Sequence, residues 1–399
     1  ILSFFLFIGL FLLAPFVGTF FEEPQLVPLT RAMSVIVLIN ALALVQRTLL
    51  VKRIDFKTQT KISVIASLSS GVIGIGMALT GFGVWSLVAQ QISRQLLNTL
   101  FLWVFNKWLP RLVFSIKSFK ELFGFGWKLL VSGLIDTIWK EIYQVVIGKV
   151  YSPSTLGQYT RAKQFVDVFS SNLTRVVQRV SYPVLSSIQD EQDRLKQAYK
   201  KIIKITMFMS FVLSLGLAAI AKPMVLVLIG EKWLPSVEFL QIICFSAMLY
   251  PLHAINLNML KVKGRSDLFL ILEIMKKTIA IGPILLGIFV GINAMLWGSV
   301  VTGFIAYYLN SYYSGKGLNY GILEQIRDIL PSFLIAIFMA AIVWPISFIN
   351  ISPFILLPIQ IIVGFVVIFA IGETTKISEY TELKEIILST INKALKWKI

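Results

Sequence analysis

Apolar stretches of about 18 or more residues recur along nearly the whole of this 399-residue chain, and no other feature constrains its fold so tightly. A helix of that length spans the hydrocarbon core of a bilayer. With 57% of its residues hydrophobic and only 14% charged, the chain has more apolar surface than a soluble domain of this size hides. Its mean hydropathy is +0.81. The 30 Phe and 9 Trp suit the lipid interface, where aromatic rings settle. The fold class that follows is an all-α polytopic membrane protein.

Twelve spanning helices are predicted, at roughly 1–20, 29–50, 62–80, 84–105, 121–150, 154–186, 200–229, 235–260, 266–289, 293–313, 323–347 and 352–371. An amphipathic tail, Glu373 to Ile399, follows. The connecting loops alternate in charge. Basic clusters stand at Lys52/Arg53/Lys57/Lys61, Lys107/Arg111/Lys117/Lys120, Arg194/Lys196/Lys200/Lys201/Lys204, Lys261/Lys263/Arg265, Lys316/Arg327 and in the tail at Lys376/Lys384/Lys393/Lys396/Lys398. The intervening turns, among them Gly81–Gly83, Ser152–Pro153, Gly230–Trp233 and Gly291–Asn293, carry almost no basic residue. The positive-inside rule then places both ends of the chain in the cytoplasm. It also accounts for the net charge of +17 as topology, so nucleic acid is not among the expected partners.

An internal repeat is visible. Ala14-Pro15 and Phe20–Pro24 precede an apolar helix that ends near Asp55; Ala221–Pro223 and Ile229–Trp233 precede another that ends near Arg265. The turns Gly81–Trp85 and Gly291–Met295 follow at matching distance, at an offset of about 208–210 residues throughout. Loop charge has the same sign at matched points, so the two copies are a parallel repeat, two pseudo-symmetric lobes about an axis along the membrane normal. The expected domains are 1–120, a partial first lobe of four helices; 121–320, a second lobe of six; and 321–399, two additional helices with a cytoplasmic amphipathic tail. About 100 residues precede Pro223 in the second lobe, against 14 before Pro15. The chain also opens inside an apolar run with neither Met nor the basic start of a signal peptide. It is expected to be an N-terminally truncated form of a fourteen-helix plan.

Charge concentrates where lipid forbids it, in the hairpin Glu121 to Val184 around the turn Tyr151–Gly157. Its first helix holds Lys128, Asp136, Lys140 and Glu141, with Asp136, Lys140 and Gln144 on one face at i, i+4, i+8. Its second helix carries Gln158, Arg161, Gln164, Asn172, Arg175 and Arg179 in one stripe at spacings of three and four, broken only at Val168. A charge at bilayer depth costs several kcal/mol unless it faces protein or water, so the hairpin is expected to wall a polar cavity. A ladder of guanidinium groups suits an anionic substrate, because the planar fork matches phosphate oxygens. Competing readings stand beside this one: Asp136–Lys140 as a buried pair that fixes packing, Lys128 as a snorkelling side chain, Arg179 as a lipid head-group contact, Lys163 and Asp167 as an i, i+4 pair. In the first lobe Arg94 heads a polar band with Gln90, Gln91 and Gln95, while Arg31 and Arg47 stand near helix ends as interface anchors. The candidate substrate-binding residues are Arg161, Gln164, Asn172, Arg175, Lys140, Gln144 and Arg94. Asp136, Glu141 and Asp167 are candidates for ion coupling. Glu273 with Lys276 and Lys277 reads as a local ion pair, and His253, Asn256 and Asn258 after the kinking Pro251 as packing.

Nothing suggests catalysis. The lone Cys244 and lone His253 assemble no zinc, haem, iron–sulfur or triad set, so no metal, cofactor or catalytic residue is expected, and Cys244 reads as a packed core thiol.

The run Tyr151-Ser-Pro-Ser-Thr-Leu-Gly-Gln-Tyr-Thr-Arg-Ala162 resembles the signature of bacterial polysaccharide flippases of the Wzx type. That family belongs to the superfamily that also holds multidrug and toxic-compound extruders and the peptidoglycan-precursor flippase. Gly124–Gly126, Tyr182-Pro183, Gly230–Pro235, Gly264–Asp267 and Gly83–Trp85 are similar to the same family, in order and spacing over essentially the whole chain. The resemblance implies alternating access by two lobes that carry undecaprenyl-diphosphate-linked oligosaccharide across the bacterial cytoplasmic membrane for O-antigen, capsule or exopolysaccharide synthesis. It implies that the Arg and Lys groups meet the diphosphate, Asn and Gln meet the sugars, and other polysaccharide-assembly membrane proteins are candidate partners. The rivals are a drug or metabolite exporter of the same fold, a membrane-embedded polymerase or glycosyltransferase, and a structural scaffold. The exporter calls for a compact carboxylate site, the enzyme for a large outer loop or a nucleotide-sugar domain.

Overall fold

The computed structural model describes residues 2–53, 55–106, 115–316 and 318–396, with Phe56, Ser266 and some positions between 118 and 136 and beyond 386 described by backbone alone. Lys107, Arg111 and Lys398 lie outside the described residues, as do the side chains of Lys128, Asp136, Lys393 and Lys396. Every predicted segment is helical, and the described residues contain no strand. The chain divides into two compact units, 1–134 and 135–399.

Unit 1 holds α1 (Leu2–Phe21), α2 (Leu26–Lys52), α3 (Phe56–Leu79), α4 (Val84–Asn106) and the first part of α5 (Ile116–Val150). The expected reversal at Gly81–Gly83 joins α3 to α4. Gly81 and Gly83 take φ of +87° and +52°, which other residues adopt only with strain. Asp55 caps α3, its carboxylate accepting from the Thr58 amide at 3.0 Å. The Thr58 amide and then its hydroxyl hold the Asp55 carboxyl below the usual range. Ala43, Leu50, Ile62 and Leu102 form the small core. Beside it Asn106 Nδ2 donates to Gln46 Oε1 at 2.7 Å, and Arg53 Nη1 to Asn106 Oδ1 at 3.1 Å, which ties α2 to α4 through groups that lipid would not satisfy.

Unit 2 continues α5 and adds α6 (Pro153–Ser186), α7 (Gln192–Ala219), α8 (Ala221–Leu228), a 3-10 turn at Glu231–Trp233, α9 (Ser236–Ala247) and α10 (Tyr250–Val262). Then come α11 (Ser266–Ile279), α12 (Ile281–Phe289), α13 (Ile292–Gly315), α14 (Ile322–Val343), α15 (Pro353–Thr375) and α16 (Ser378–Lys396). Three predicted spans are broken. Pro251 separates α9 from α10 as expected, and Ser210 Oγ of α7 donates to the Met248 carbonyl at 2.7 Å, inside that break. Breaks at Ile220 and Ala280 precede Pro223 and Pro283. Two apolar cores fill the unit. One gathers Leu195, Ile203, Met207, Leu252 and Met259 where α14 packs on α7; the other gathers Val166, Leu240, Cys244 and Met295 where α6 packs on α9. Buried polar side chains are stitched across helices: Tyr199 OH donates to Asn256 Oδ1 at 2.6 Å and Asn258 Nδ2 to Ser181 Oγ at 2.9 Å, while Asn310 Nδ2 lies 3.1 Å from His253 Nδ1. Glu273 and Lys276 form a local pair.

Among the described residues eight helical segments are long and apolar enough to cross a membrane by length and composition: α1, α2, α3, α7, α9–α10, α13, α14 and α15. The protein is a multi-pass membrane protein. The other predicted spans, α4, α5, α6 and α11–α12, are helical but carry more polar residues or break early. Much of the basic run 194–204 belongs to α7 rather than to a loop. There Lys200 pairs with Glu324 and Asp328 (3.3 and 3.0 Å) and Lys204 with Glu379 of α16 (2.9 Å).

Candidate functional site: the polar face of a charged hairpin

The turn between α5 and α6 is dictated locally. Ser152 caps α6, its Oγ accepting from the Thr155 amide at 3.2 Å, and Pro153 fills the first helical position, where no amide is needed. From this start α6 sorts its residues by size and charge. Small and apolar side chains (Ala162, Val166, Ser170, Val177, Ser181) are buried, facing α9 and α10. The opposite face leaves Arg161, Gln164, Asn172, Arg175 and Arg179 exposed.

The expected stripe is therefore one open face, with one departure. Gln158 turns inward and is buried, its Nε2 donating to the Lys232 carbonyl at 3.0 Å. The outward groups support one another. Arg161 Nη1 donates to Gln164 Oε1 at 3.0 Å, with its guanidinium carbon 5.3 Å above the Trp233 ring. Arg175 Nε donates to the Ser171 carbonyl at 3.3 Å, and Nη2 bonds Asn172 Oδ1. Among the described residues no carboxylate lies within 4.0 Å of either guanidinium, so both keep their charge available to an anion.

The cation next to the stripe is neutralised differently from expectation. Lys163 pairs not with Asp167 but with Glu141 across the hairpin, at 3.4 Å, and reaches the Lys140 carbonyl at 3.5 Å. A base placed N-terminal to its acid at i, i+4 is the weaker order on a helix, and the long Lys stem reaches a carboxylate on the neighbouring helix. Gln144 donates to the same Glu141 carboxylate. Lys140 is exposed and Gln144 half-buried. The expected Asp136–Lys140 pair lies outside the described residues, because only the backbone of Asp136 is described.

Arg94 belongs to unit 1, where it lines a cavity of about 180 Å³ with Arg47, Gln91, Gln95, Asn98 and Ser63. Its position near a helix end makes Arg47 an interface anchor by sequence, whereas in the structure it lines this cavity. The signal was there: Asn40 and Arg47 lie seven residues apart, two turns along one face of α2, and Gln95 bonds Asn40. Arg31 stacks over Phe11, its guanidinium carbon 4.9 Å from the ring centroid. Arg47 and Arg94 likewise have no carboxylate within 4.0 Å among the described residues.

A family described as polysaccharide biosynthesis protein matches residues 1–238. The teichuronic acid biosynthesis protein TuaB of Bacillus subtilis (strain 168) is 28% identical over 269 residues, 66% of this chain and 55% of its own. The succinoglycan biosynthesis transport protein ExoT of Rhizobium meliloti (strain 1021) is 26% identical over 296 residues, 74% of this chain and 60% of its own. The lipopolysaccharide biosynthesis protein WzxC of Escherichia coli (strain K12) is 24% identical over 286 residues, 70% of this chain and 57% of its own. The matches thus span between 55% and 60% of the length of these relatives. Among solved structures, the lipid II flippase MurJ in an inward closed conformation superposes with a TM-score of 0.74 at 16% identity, covering 96% of this chain and 82% of its own; the two share a fold.

Proposed function

The chain belongs to the polysaccharide biosynthesis protein family, and on that premise we propose that it moves a lipid-linked oligosaccharide across the bacterial cytoplasmic membrane, without bond chemistry. One observation carries the reading: Arg161 and Arg175 stand on one open face of α6, and among the described residues no carboxylate neutralises them. Uncompensated guanidinium groups in a membrane call for an anionic ligand, and a polyprenyl diphosphate supplies one whose tail stays in lipid. Gln164 and Asn172 on the same stripe, with Lys140 and Gln144 on α5, offer donors and acceptors to the first sugars. Arg94, in the polar cavity of unit 1, is a further candidate group for such a cargo. Glu141, Asp167 and Asp136 are the groups through which an ion drives the cycle. The lobes 1–120 and 121–320, with the added helices and tail of 321–399, alternate access between the two sides, both chain ends cytoplasmic. The names of TuaB, ExoT and WzxC, each a polysaccharide biosynthesis protein or transporter, support this cargo over a drug. Other polysaccharide-assembly membrane proteins complete the set of partners.

The test is surface polysaccharide in cells that depend on this protein. Arg161→Ala and Arg175→Ala are each expected to abolish export at unchanged protein level. Full export by both variants overturns the assignment.

A further inference from the structure

Away from the Arg stripe, three turns of unit 2 meet at one end of the helices. The hairpin turn touches the 230s turn through Gln158 and Lys232, and α9 touches the start of α13 through Asn293 Nδ2, which donates to Glu238 Oε1 at 2.7 Å. Between them lies a cavity of about 570 Å³. Its polar lining comes from Thr155, Lys222, Glu238, Gln241 and Asn293. A second cavity, of about 350 Å³, shares Glu238 and Gln241 with the first and runs between α7, α9, α13 and α14. It is apolar and aromatic, lined by Leu215, Phe245, Trp297 and Trp344, with both Trp side chains about half exposed. Two cavities that share a wall, one setting charged and amide groups among apolar side chains and the other almost wholly apolar, fit an amphipathic ligand.

Charge narrows the class. Lys222 and Glu238 line the same cavity, yet neither has an oppositely charged partner within 4.0 Å among the described residues. Both side chains are exposed to solvent, and a cation and an anion set apart in one cavity match a ligand that carries both signs. Gln241 spends its Nε2 on the Ala218 carbonyl at 3.1 Å and keeps its carbonyl oxygen as an acceptor. With the Glu238 carboxylate, the Asn293 carbonyl and the Thr155 hydroxyl, the cavity is rich in acceptors. A primary ammonium, with three N–H donors, uses that set; a quaternary ammonium has no proton to give. The Trp297 and Trp344 rings suit the depth at which a glycerophospholipid passes from head group to chain.

We infer that the two adjoining cavities on unit 2 hold a phospholipid with a phosphoethanolamine head, its ammonium on Glu238, its phosphate on Lys222 and an acyl chain along Phe245, Trp297 and Trp344. This lipid is neither the proposed cargo nor seated on the Arg stripe, and its binding does not depend on transport.

The test is native mass spectrometry of the full chain in detergent, titrated with phosphatidylethanolamine, phosphatidylcholine and phosphatidylglycerol of identical acyl chains. Phosphatidylethanolamine is expected to be retained best. Glu238→Gln is expected to weaken it about tenfold and to erase its lead over phosphatidylcholine, since one charge-assisted hydrogen bond is lost. Lys222→Gln is expected to weaken all three lipids, and Trp344→Ala to weaken all three equally. Thermal melting within a few degrees of the parent shows that each variant is folded; Glu238→Asp, which keeps the charge, is expected to retain the preference and stands in if Glu238→Gln melts early. Equal retention of the three lipids, a preference for phosphatidylglycerol, or a preference unchanged in Glu238→Gln overturns the proposal.

Discussion

Helices α2 and α3 of unit 1 and α7 of unit 2 have the same mean hydropathy, 2.0 over their most apolar window, but different surroundings. Of that window 22% is buried in α2 and in α3, against 56% in α7 and 72% in α9–α10. Hydropathy therefore says that a helix enters lipid, not whether lipid or protein surrounds it. The reason is that lipid tails are as apolar as Leu, so no hydrophobic gradient separates the two surroundings. What marks α7 as interior is small and polar side chains placed to meet neighbours: Ser210 on the α9–α10 break, Tyr199 on Asn256 and Ser314. Unit 1 relies instead on a few tight contacts, a four-residue core and the Gln46–Asn106–Arg53 tie.

The contrast is open to attack by mutation, with stability read as thermal unfolding in one detergent. The largest effect is expected at Leu240, fully buried in unit 2: Leu240→Ala costs about 2–5 kcal/mol, whereas Leu68→Ala, 68% exposed on α3, costs under about 0.5 kcal/mol. Equal losses at the two sites would erase the distinction between interior and lipid-facing helices. Gly315→Ala comes next, at about 1–3 kcal/mol, because its new Cβ would lie 2.1 Å from the Tyr320 carbonyl oxygen; Gly71→Ala in α3, with open space around it, is expected to be neutral or to gain about 0.5–1 kcal/mol. Tyr199→Phe removes the donor to Asn256 and is expected to cost about 1–3 kcal/mol, more than Trp103→Phe, whose bond to the Leu42 carbonyl lies in an exposed setting. The smallest effect is a pH dependence at the α3 cap. The folded Asp55 carboxyl sits below its ordinary value of 3.8, so its contribution is fully present above that value and is lost as pH falls through the folded value. Asp55→Asn, which keeps a capping oxygen without the charge, is expected to remove that acid-limb dependence while the helix stays capped.

Much of the fold was legible in the sequence because its causes are local. The helices follow from uninterrupted apolar runs, the α3–α4 reversal from Gly81 and Gly83, the α9–α10 break from Pro251, and the open face of α6 from the three-and-four spacing of its polar residues. The Lys163–Glu141 pair was not legible, because helical spacing speaks only of neighbours on one helix, and here the acid arrives from another. Gln158 fits the stripe by spacing yet turns inward, where it donates to the Lys232 carbonyl of a turn distant in sequence. Arg47 looked like an anchor when counted from the end of α2; packing against α4 puts it beside Arg94.

The sequence by itself determined that this is an all-α membrane protein, that the chain turns at Gly81–Gly83 and Ser152–Pro153, and that one hairpin is far more charged than the apolar helices around it, because helix length and turn geometry are properties of short stretches. Only the tertiary structure decided which charges stay uncompensated. Among the described residues Arg161 and Arg175 have no carboxylate beside them while Lys163 finds Glu141, and Lys222 and Glu238 line one cavity without pairing, since neutralisation depends on which helices are brought within a few ångströms, and that is a property of packing alone.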